Sequence, residues 1–325
     1  MSGSNGPITG KTVLVTGGAG FIGSNLAELV SADPDNGVVM LDDFSTGKRS
    51  NLDWLWERSN CSMVWGDVGD EKEVARAMKG VDYVLHEAAI ASVPASLEDP
   101  VATNRVNAGG TLSVLEAARK NDVDCVVLAS SCAVYGDAKP PISESSPTRP
   151  ISPYAGSKLA AETYMWIYHD LYGLHTTSLR YFNVYGPRQS PRSQYSAVIP
   201  RFIHAMLRGE RPTIFGDGEQ TRDFVFVKDI YRANCLAATS TKAAGRTYNV
   251  AGGRPVTINH LFELISGITG FDENPQQGPP RAGDIAHSWG DGSLIQGELG
   301  FKPGCRLEDG LSETVDCFRR GMKDA

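Results

Sequence analysis

No apolar run in this 325-residue chain approaches the ~20 residues that cross a bilayer, so a membrane span is not expected. The N-terminal stretch MSGSNGPITGK lacks both the charged start and the apolar centre of a secretory signal. The six cysteines (Cys61, Cys125, Cys132, Cys235, Cys305 and Cys317) include no CxxC or other metal-like spacing, which argues against zinc. Positive charge is scarce: 31 Lys and Arg stand against 38 Asp and Glu, a net charge of −7, with no basic stripe. That balance argues against nucleic acid as a partner. It leaves room for a phosphate ligand, because a helix N-terminus and one or two arginines hold phosphate locally. There is no internal repeat and no low-complexity tract. The expectation is a cytoplasmic protein with reduced thiols, free of metal.

What is present is a chain long enough for a large core and two lobes. KTVLVTGGAGFIGSNLAELV reads as a buried strand, a glycine turn and a helix. NGVVMLDDF, CSMVWGDV, GVDYVLHEAA, DCVVLASS and HTTSLRYFNVYG read as five further strands. Between them lie helical patterns, including one from about Val106 to Asn121 and the long SPYAGSKLAAETYMWIYHDLYG. Short apolar strands alternating with helices predict an α/β fold: a Rossmann-type, doubly wound parallel sheet covered on both faces. The alternation weakens after about Asn183, where Pro, Gly and Arg become more frequent. The predicted division is a first domain over 1–182, with 223–251 returning to it. A smaller α/β substrate lobe is expected over 183–222 and 252–325.

TGGAGFIG sets Gly17, Gly20 and Gly23 in the pattern GxxGxxG, between a strand and a helix. Glycines there let the turn close, let backbone approach a pyrophosphate, and let the helix pack on the sheet. The helix start at Phe21 and Ile22 offers unpaired N–H groups and the positive end of a dipole. About 20 residues on, Asp42 and Asp43 end the second strand. An acid in that place accepts from adenosine ribose hydroxyls and repels a 2′-phosphate, which favours NAD over NADP. The alternative reading of the two acids is a solvated turn.

SPYAGSK, Ser152 to Lys158, reads in two ways. Ser152 suits a helix cap and Pro153 the first helical position, and the stretch need be no more than that. It also places Tyr154 and Lys158 four apart on one helix face. A free tyrosine has a pKa of about 10 and is a poor base at neutral pH. A nearby ammonium favours the phenolate, and Lys158 is placed to supply one.

In order along the chain, TGGAGFIG, GDV at Gly66–Val68, HEAA at His86–Ala89, SSCAVYG at Ser130–Gly136, YAGSK and RYFNVYGPRQ resemble the extended short-chain dehydrogenase/reductases. Within them the chain is similar to the NAD-dependent nucleotide-sugar epimerases over essentially its whole length. The resemblance implies that Tyr154 and Lys158 are catalytic, with Ser131 as hydrogen-bond donor and proton relay to the reacting oxygen. It implies a tightly bound NAD touching Asp67, Val68, Ala88, Ala89, Asn107 and Tyr181 besides the glycine loop. It implies a UDP-sugar held by Asn183, Val198, Arg222, Arg281 and Asp284. It also implies a homodimer, formed through the helices near 106–121 and 153–172.

Several reactions share that family. Dehydratases and a decarboxylase place acids directly after the Ser or Thr, where this chain has Cys132 and Ala133. Without a carboxylic acid there, elimination of water lacks its acid and base. The 3,5-epimerase that uses a cysteine nearby has it one residue closer to the tyrosine, so Cys132 reads as a small buried thiol. What remains is 4-epimerisation through a 4-keto sugar. The alternatives kept are a dehydratase or decarboxylase, and a non-catalytic NAD-binding regulator, a class that typically loses the Tyr/Lys pair. Seven residues after Arg281, hexose-only UDP-galactose 4-epimerases carry a bulky Tyr near sugar C2. Here Ser288 stands there, which predicts room for the acetamido group of UDP-GlcNAc and UDP-GalNAc, alongside UDP-Glc and UDP-Gal.

Overall fold

The computed structural model describes residues 6–191, 197–280 and 285–323. Seven strands form one parallel sheet: β1 (Thr12–Thr16), β2 (Gly37–Asp42), β3 (Cys61–Trp65), β4 (Tyr83–His86), β5 (Cys125–Ser131), β6 (Thr176–Tyr181) and, much later in the chain, β10 (Arg246–Val250). Their spatial order is β10-β6-β5-β4-β1-β2-β3. Parallel strands must be buried on both faces, and the apolar runs comply by alternation. Val13 and Val15 enter one core cluster and Leu14 the other; Val127 and Ala129 oppose Val126 and Leu128 in the same way. On one face pack α1 (Phe21–Ser31) and α8 (Val227–Thr239). On the other lie α2 (Glu71–Ala77), α5 (Gly110–Lys120) and α6 (Pro153–Tyr172).

The long helix α6 is punctuated as its sequence predicts. The Ser152 hydroxyl accepts from the Ala155 N–H at 3.2 Å, Pro153 sits in the first turn, and Gly173 ends the helix in the left-handed region at φ 68°. The pattern near Val106 differs from expectation. Helix runs from α4 (Pro100–Asn104), just after α3 (Val93–Glu98), through a π-type turn at Arg105–Gly109 and on into α5. Such π turns are frequent at functional sites.

The predicted sixth strand is two. Thr176–Tyr181 belongs to the large sheet, and Asn183–Tyr185 (β7) joins β9 (Thr221–Phe226) and β11 (Pro255–Thr257) in a separate three-stranded sheet. The chain switches sheets at Phe182, whose N–H donates to the Val250 carbonyl. Within 223–251, α8 and β10 pack with the large sheet, whereas β9 does not. Strand β8 (Thr213–Phe215) pairs with β12 (Gln276–Gly278). Helices α7 (Val198–Leu207), α9 (Ile258–Thr269), α10 (Ser293–Leu299) and α11 (Leu307–Lys323) complete the chain. Among the described residues no helix is long and apolar enough to cross a membrane.

Two buried polar chains fix the sheet to its helices. The Ala88 N–H donates to Thr16 Oγ1, and that hydroxyl donates to His86 Nδ1 at 2.7 Å, because the neutral ring carries its proton on Nε2. His86 Nε2 then donates to Thr111 Oγ1 at 3.0 Å, and Thr111 donates to the Asn107 carbonyl. Burial pushes the His86 imidazole down to about 3, so it is neutral and structural. Behind α6, Arg180 donates to both oxygens of Glu162 at 2.9 and 2.6 Å and to Tyr135 Oη at 2.8 Å. Tyr135 donates onward to Asn249, and Ser130 donates to Glu162. One bidentate ion pair therefore joins α6, β5, β6 and β10.

Candidate active site

The strand order reverses between β1 and β4, and a crevice opens at their carboxyl ends. A cavity of about 180 Å3 lies there, lined by Gly17, Gly20, Asp42, Asp43, Asp67, Val68, Glu87, Ala88 and Ala89. Gly17 has φ +67°, and a Cβ on it would meet the Ala88 nitrogen at 2.8 Å. A Cβ on Gly23 would fall 2.1 Å from the Gly17 carbonyl oxygen, so Gly23 serves the close packing of helix on turn. No side chain caps the N-terminus of α1, where Phe21 and Ile22 begin the helix, so the first-turn N–H groups are left for a ligand.

The acids at the end of β2 differ in what they already hold. Asp42 is buried and accepts from the N–H groups of Ala19 (2.9 Å) and Phe44 (2.7 Å). Asp43 is exposed and bonds both the N–H and hydroxyl of Ser45. A carboxylate has about four acceptor sites, so Asp42 keeps capacity after pinning the glycine loop. Asp67 accepts from the Gly69 N–H at 2.8 Å and pairs with Arg105 at 2.8 Å. Arg105 lines the same cavity, from the π-type turn, and was not anticipated from sequence.

Asn107 is expected beside the cofactor. Its side chain is buried and spent inside the protein, accepting from the Ile90 N–H (2.8 Å) and donating to the Ile90 carbonyl (3.3 Å) and Ser157 (2.9 Å). It ties the loop after β4 to α6 and does not line the cofactor-side cavity. The sequence showed the residue but not the direction of its amide, which tertiary packing sets.

A second cavity, of about 500 Å3, brings together Ser131, Tyr154, Tyr181, Asn183, Val198 and Arg222, with apolar walls from Phe202, Phe215 and Ile258. Ser131 ends β5 and its hydroxyl accepts from the Ala133 N–H. Burial pushes the Tyr154 phenol up to about 12, with the Ser131 hydroxyl pulling it down and the charge of Glu87, joined at such high pH by an ionised Cys132, pushing it up. Lys158, four residues on along α6, is the other member of the expected pair. The lysine is buried, its Nζ donates to the Ala129 carbonyl at 2.8 Å, and burial lowers its own pKa to about 8 against the pull of Glu87 and Glu162. The Cys132 thiol is pushed up to about 12 by burial, so it is no thiolate at neutral pH.

Ser288 is half-buried, and its N–H donates to the Thr221 carbonyl, next to Arg222. It is not among the residues lining the 500 Å3 cavity. Arg281 and Asp284 lie outside the described residues. Asp223, missed from sequence, is fully buried and accepts from Gly252, Gly253 and Gly290 at 2.7, 3.0 and 3.1 Å. It clamps the segment after Ser288 to the strand that carries Arg222. Its only sequence signal is an acid inside the strand pattern TRDFVF.

A glycine cradle that a methyl group would fill, an uncapped helix start and acids at the end of β2 fit a dinucleotide. The pattern that defines the NAD-dependent epimerase/dehydratase family matches residues 13–251. The chain belongs to this family, among the extended short-chain dehydrogenase/reductases, and NAD is its cofactor. A putative UDP-glucose 4-epimerase of Methanocaldococcus jannaschii is 39% identical over 314 residues, covering 96% of this chain and 99% of that one. The solved UDP-N-acetylglucosamine 4-epimerase of Methanobrevibacter ruminantium, in complex with UDP-N-acetylmuramic acid, is 42% identical with a TM-score of 0.92, covering 97% of this chain and all of that one. The Thermus thermophilus UDP-glucose 4-epimerase, solved with NAD, is 38% identical with a TM-score of 0.85, covering 95% and 99%.

Proposed function

We propose that the protein interconverts UDP-sugars epimeric at C4, through a 4-keto intermediate. Its substrates are UDP-GlcNAc and UDP-GalNAc, with UDP-Glc and UDP-Gal as further pairs. The observation that carries this reading is the meeting of Ser131 and Tyr154 in the wall of a cavity whose neighbouring positions, Cys132 and Ala133, bring no carboxylic acid. Tyr154 Oη takes the proton of the C4 hydroxyl and returns it, and Ser131 Oγ relays it. A bound NAD would supply hydride acceptance and return at C4, and its positive ring would favour the Tyr154 phenolate. Lys158 adds its ammonium beneath the pair and keeps α6 pinned to β5 through the Ala129 carbonyl.

Asn183 and Arg222 anchor the diphosphate, with Arg281 and Asp284 expected to assist. Arginine suits that task because its planar fork makes two parallel charge-assisted bonds. Apolar walls let the sugar turn while the nucleotide stays fixed. In this division of labour 1–182 and the α8–β10 segment hold a tightly bound NAD, and 183–222 with 252–325 hold the UDP-sugar. Exposed Trp166 and Leu171 on α6 suit a homodimer through that helix, and the expected compartment is the cytoplasm. Proton NMR of the purified protein with UDP-GlcNAc, and separately UDP-Glc, without added NAD, tests the reading. New UDP-GalNAc signals support it in full. Conversion of UDP-Glc alone removes the acetamido substrates, and no conversion of either removes the epimerase reading.

A further inference from the structure

Glu87 lies between the two cavities and has no part in the reaction as set out above. It follows β4 in the stretch HEAA and lines the cofactor-side cavity, while its partner Tyr181 lines the other. Asn234, fully buried on α8, donates from Nδ2 to Tyr181 Oη at 2.7 Å, and Tyr181 donates to Glu87 Oε1 at 2.9 Å. With Glu87 ionised, its carboxylate has no proton to give, so Tyr181 is the donor and Glu87 Oε1 the acceptor. Among the described residues no protein donor reaches the other oxygen of Glu87.

We propose that Glu87 is a positioning residue of the reaction: its carboxylate holds the Tyr181 ring between the two cavities and sets the charge balance of the Tyr154–Lys158 pair without taking part in proton transfer. The inference rests on the reading of Tyr154 and Lys158 as the catalytic pair. The groups that face Glu87 are few. From α6 come Lys158, which favours its ionised form, and Tyr154, whose phenolate its charge opposes. From β6 comes Tyr181, and from α8 the uncharged Asn234. His86, its neighbour on β4, is neutral, and Glu162 acts on the same lysine from below. In the shared cavity Asp67 and Arg105 are paired with each other, while Asp42 and Asp43 are bound to their own turn. Burial, opposed by Tyr181 and Lys158, pushes the Glu87 carboxyl up to about 7, so its charge changes within the working pH range. An ionised Glu87 raises the pKa values of both Tyr154 and Lys158, the first by repulsion of the phenolate and the second by attraction of the ammonium.

Two variants separate charge from geometry. Glu87→Gln keeps an acceptor for Tyr181 and removes the charge, so both limbs of the kcat profile should move to lower pH, by about one unit. Glu87→Asp keeps the charge on a side chain one methylene shorter, so kcat should fall severalfold with the limbs in place. A readout independent of turnover is the fluorescence of NADH held in the protein as a function of pH. A transition near pH 7 in the wild type should vanish in Glu87→Gln. Superimposable kcat profiles and fluorescence transitions in wild type and Glu87→Gln would overturn the proposal. Tyr154→Phe is assayed alongside. If it retains activity, the catalytic reading itself fails; if it is inactive and Glu87→Gln is unaltered, only the role of Glu87 falls.

Discussion

The two cavities are built on opposite plans. Around the glycine loop the acids already have protein partners: Asp42 its two N–H groups, Asp43 the N–H and hydroxyl of Ser45, Asp67 its arginine. The larger cavity mixes apolar Val198, Phe202, Phe215 and Ile258 with polar Ser131, Tyr154, Asn183, Gln189, Gln220 and Arg222. A site fixed in advance loses little order when its ligand binds, which suits a cofactor that stays. The comparison teaches that rigidity and freedom are set by where hydrogen bonds are already spent.

The comparison breaks most sharply at the residue on the boundary. Tyr154→Phe removes the acid–base group and should lower epimerisation by about 100- to 10,000-fold in the NMR assay, with NAD retention unchanged. Next in size is the buried pair behind α6. Arg180→Met leaves Glu162 charged and unpaired at a site where both side chains are nearly inaccessible. That should cost about 3–5 kcal/mol, measured by denaturant unfolding. Gly17→Ala puts a methyl group against the Ala88 backbone and forces a left-handed φ on alanine. The strain, about 1–3 kcal/mol, should appear as NAD lost during purification, with the fold intact by circular dichroism. Ser288→Tyr adds bulk beside Thr221, next to Arg222, and should have the smallest effect. UDP-GlcNAc conversion should drop about tenfold while UDP-Glc conversion persists. Equal activity of this variant on both sugars would remove the size argument and leave Ser288 to the packing around Thr221.

Much of the cofactor side was legible because its signals are local. Glycines at Gly17, Gly20 and Gly23, the cap at Ser152 and the acids after β2 each work within a few residues of backbone, and spacing exposes them. The substrate side was less so. The split of HTTSLRYFNVYG into β6 and β7 follows from a hydrogen bond between Phe182 and Val250, which no window of sequence contains. Asp223 reads as one more strand residue until three distant glycines converge on it.

The sequence by itself determined the parallel sheet, through apolar strands alternating with helices. It also determined the place of the glycine turn and the helix that carries Tyr154 and Lys158, because periodicity and caps are written in consecutive residues. Only the tertiary structure decided that the Asn107 amide bonds the Ile90 backbone and Ser157, that burial raises the Tyr154 phenol, and that Tyr181 donates to Glu87. Those outcomes depend on which groups are brought together and how far water is excluded from them. Direction and desolvation are properties of the packed molecule, and no residue carries them alone.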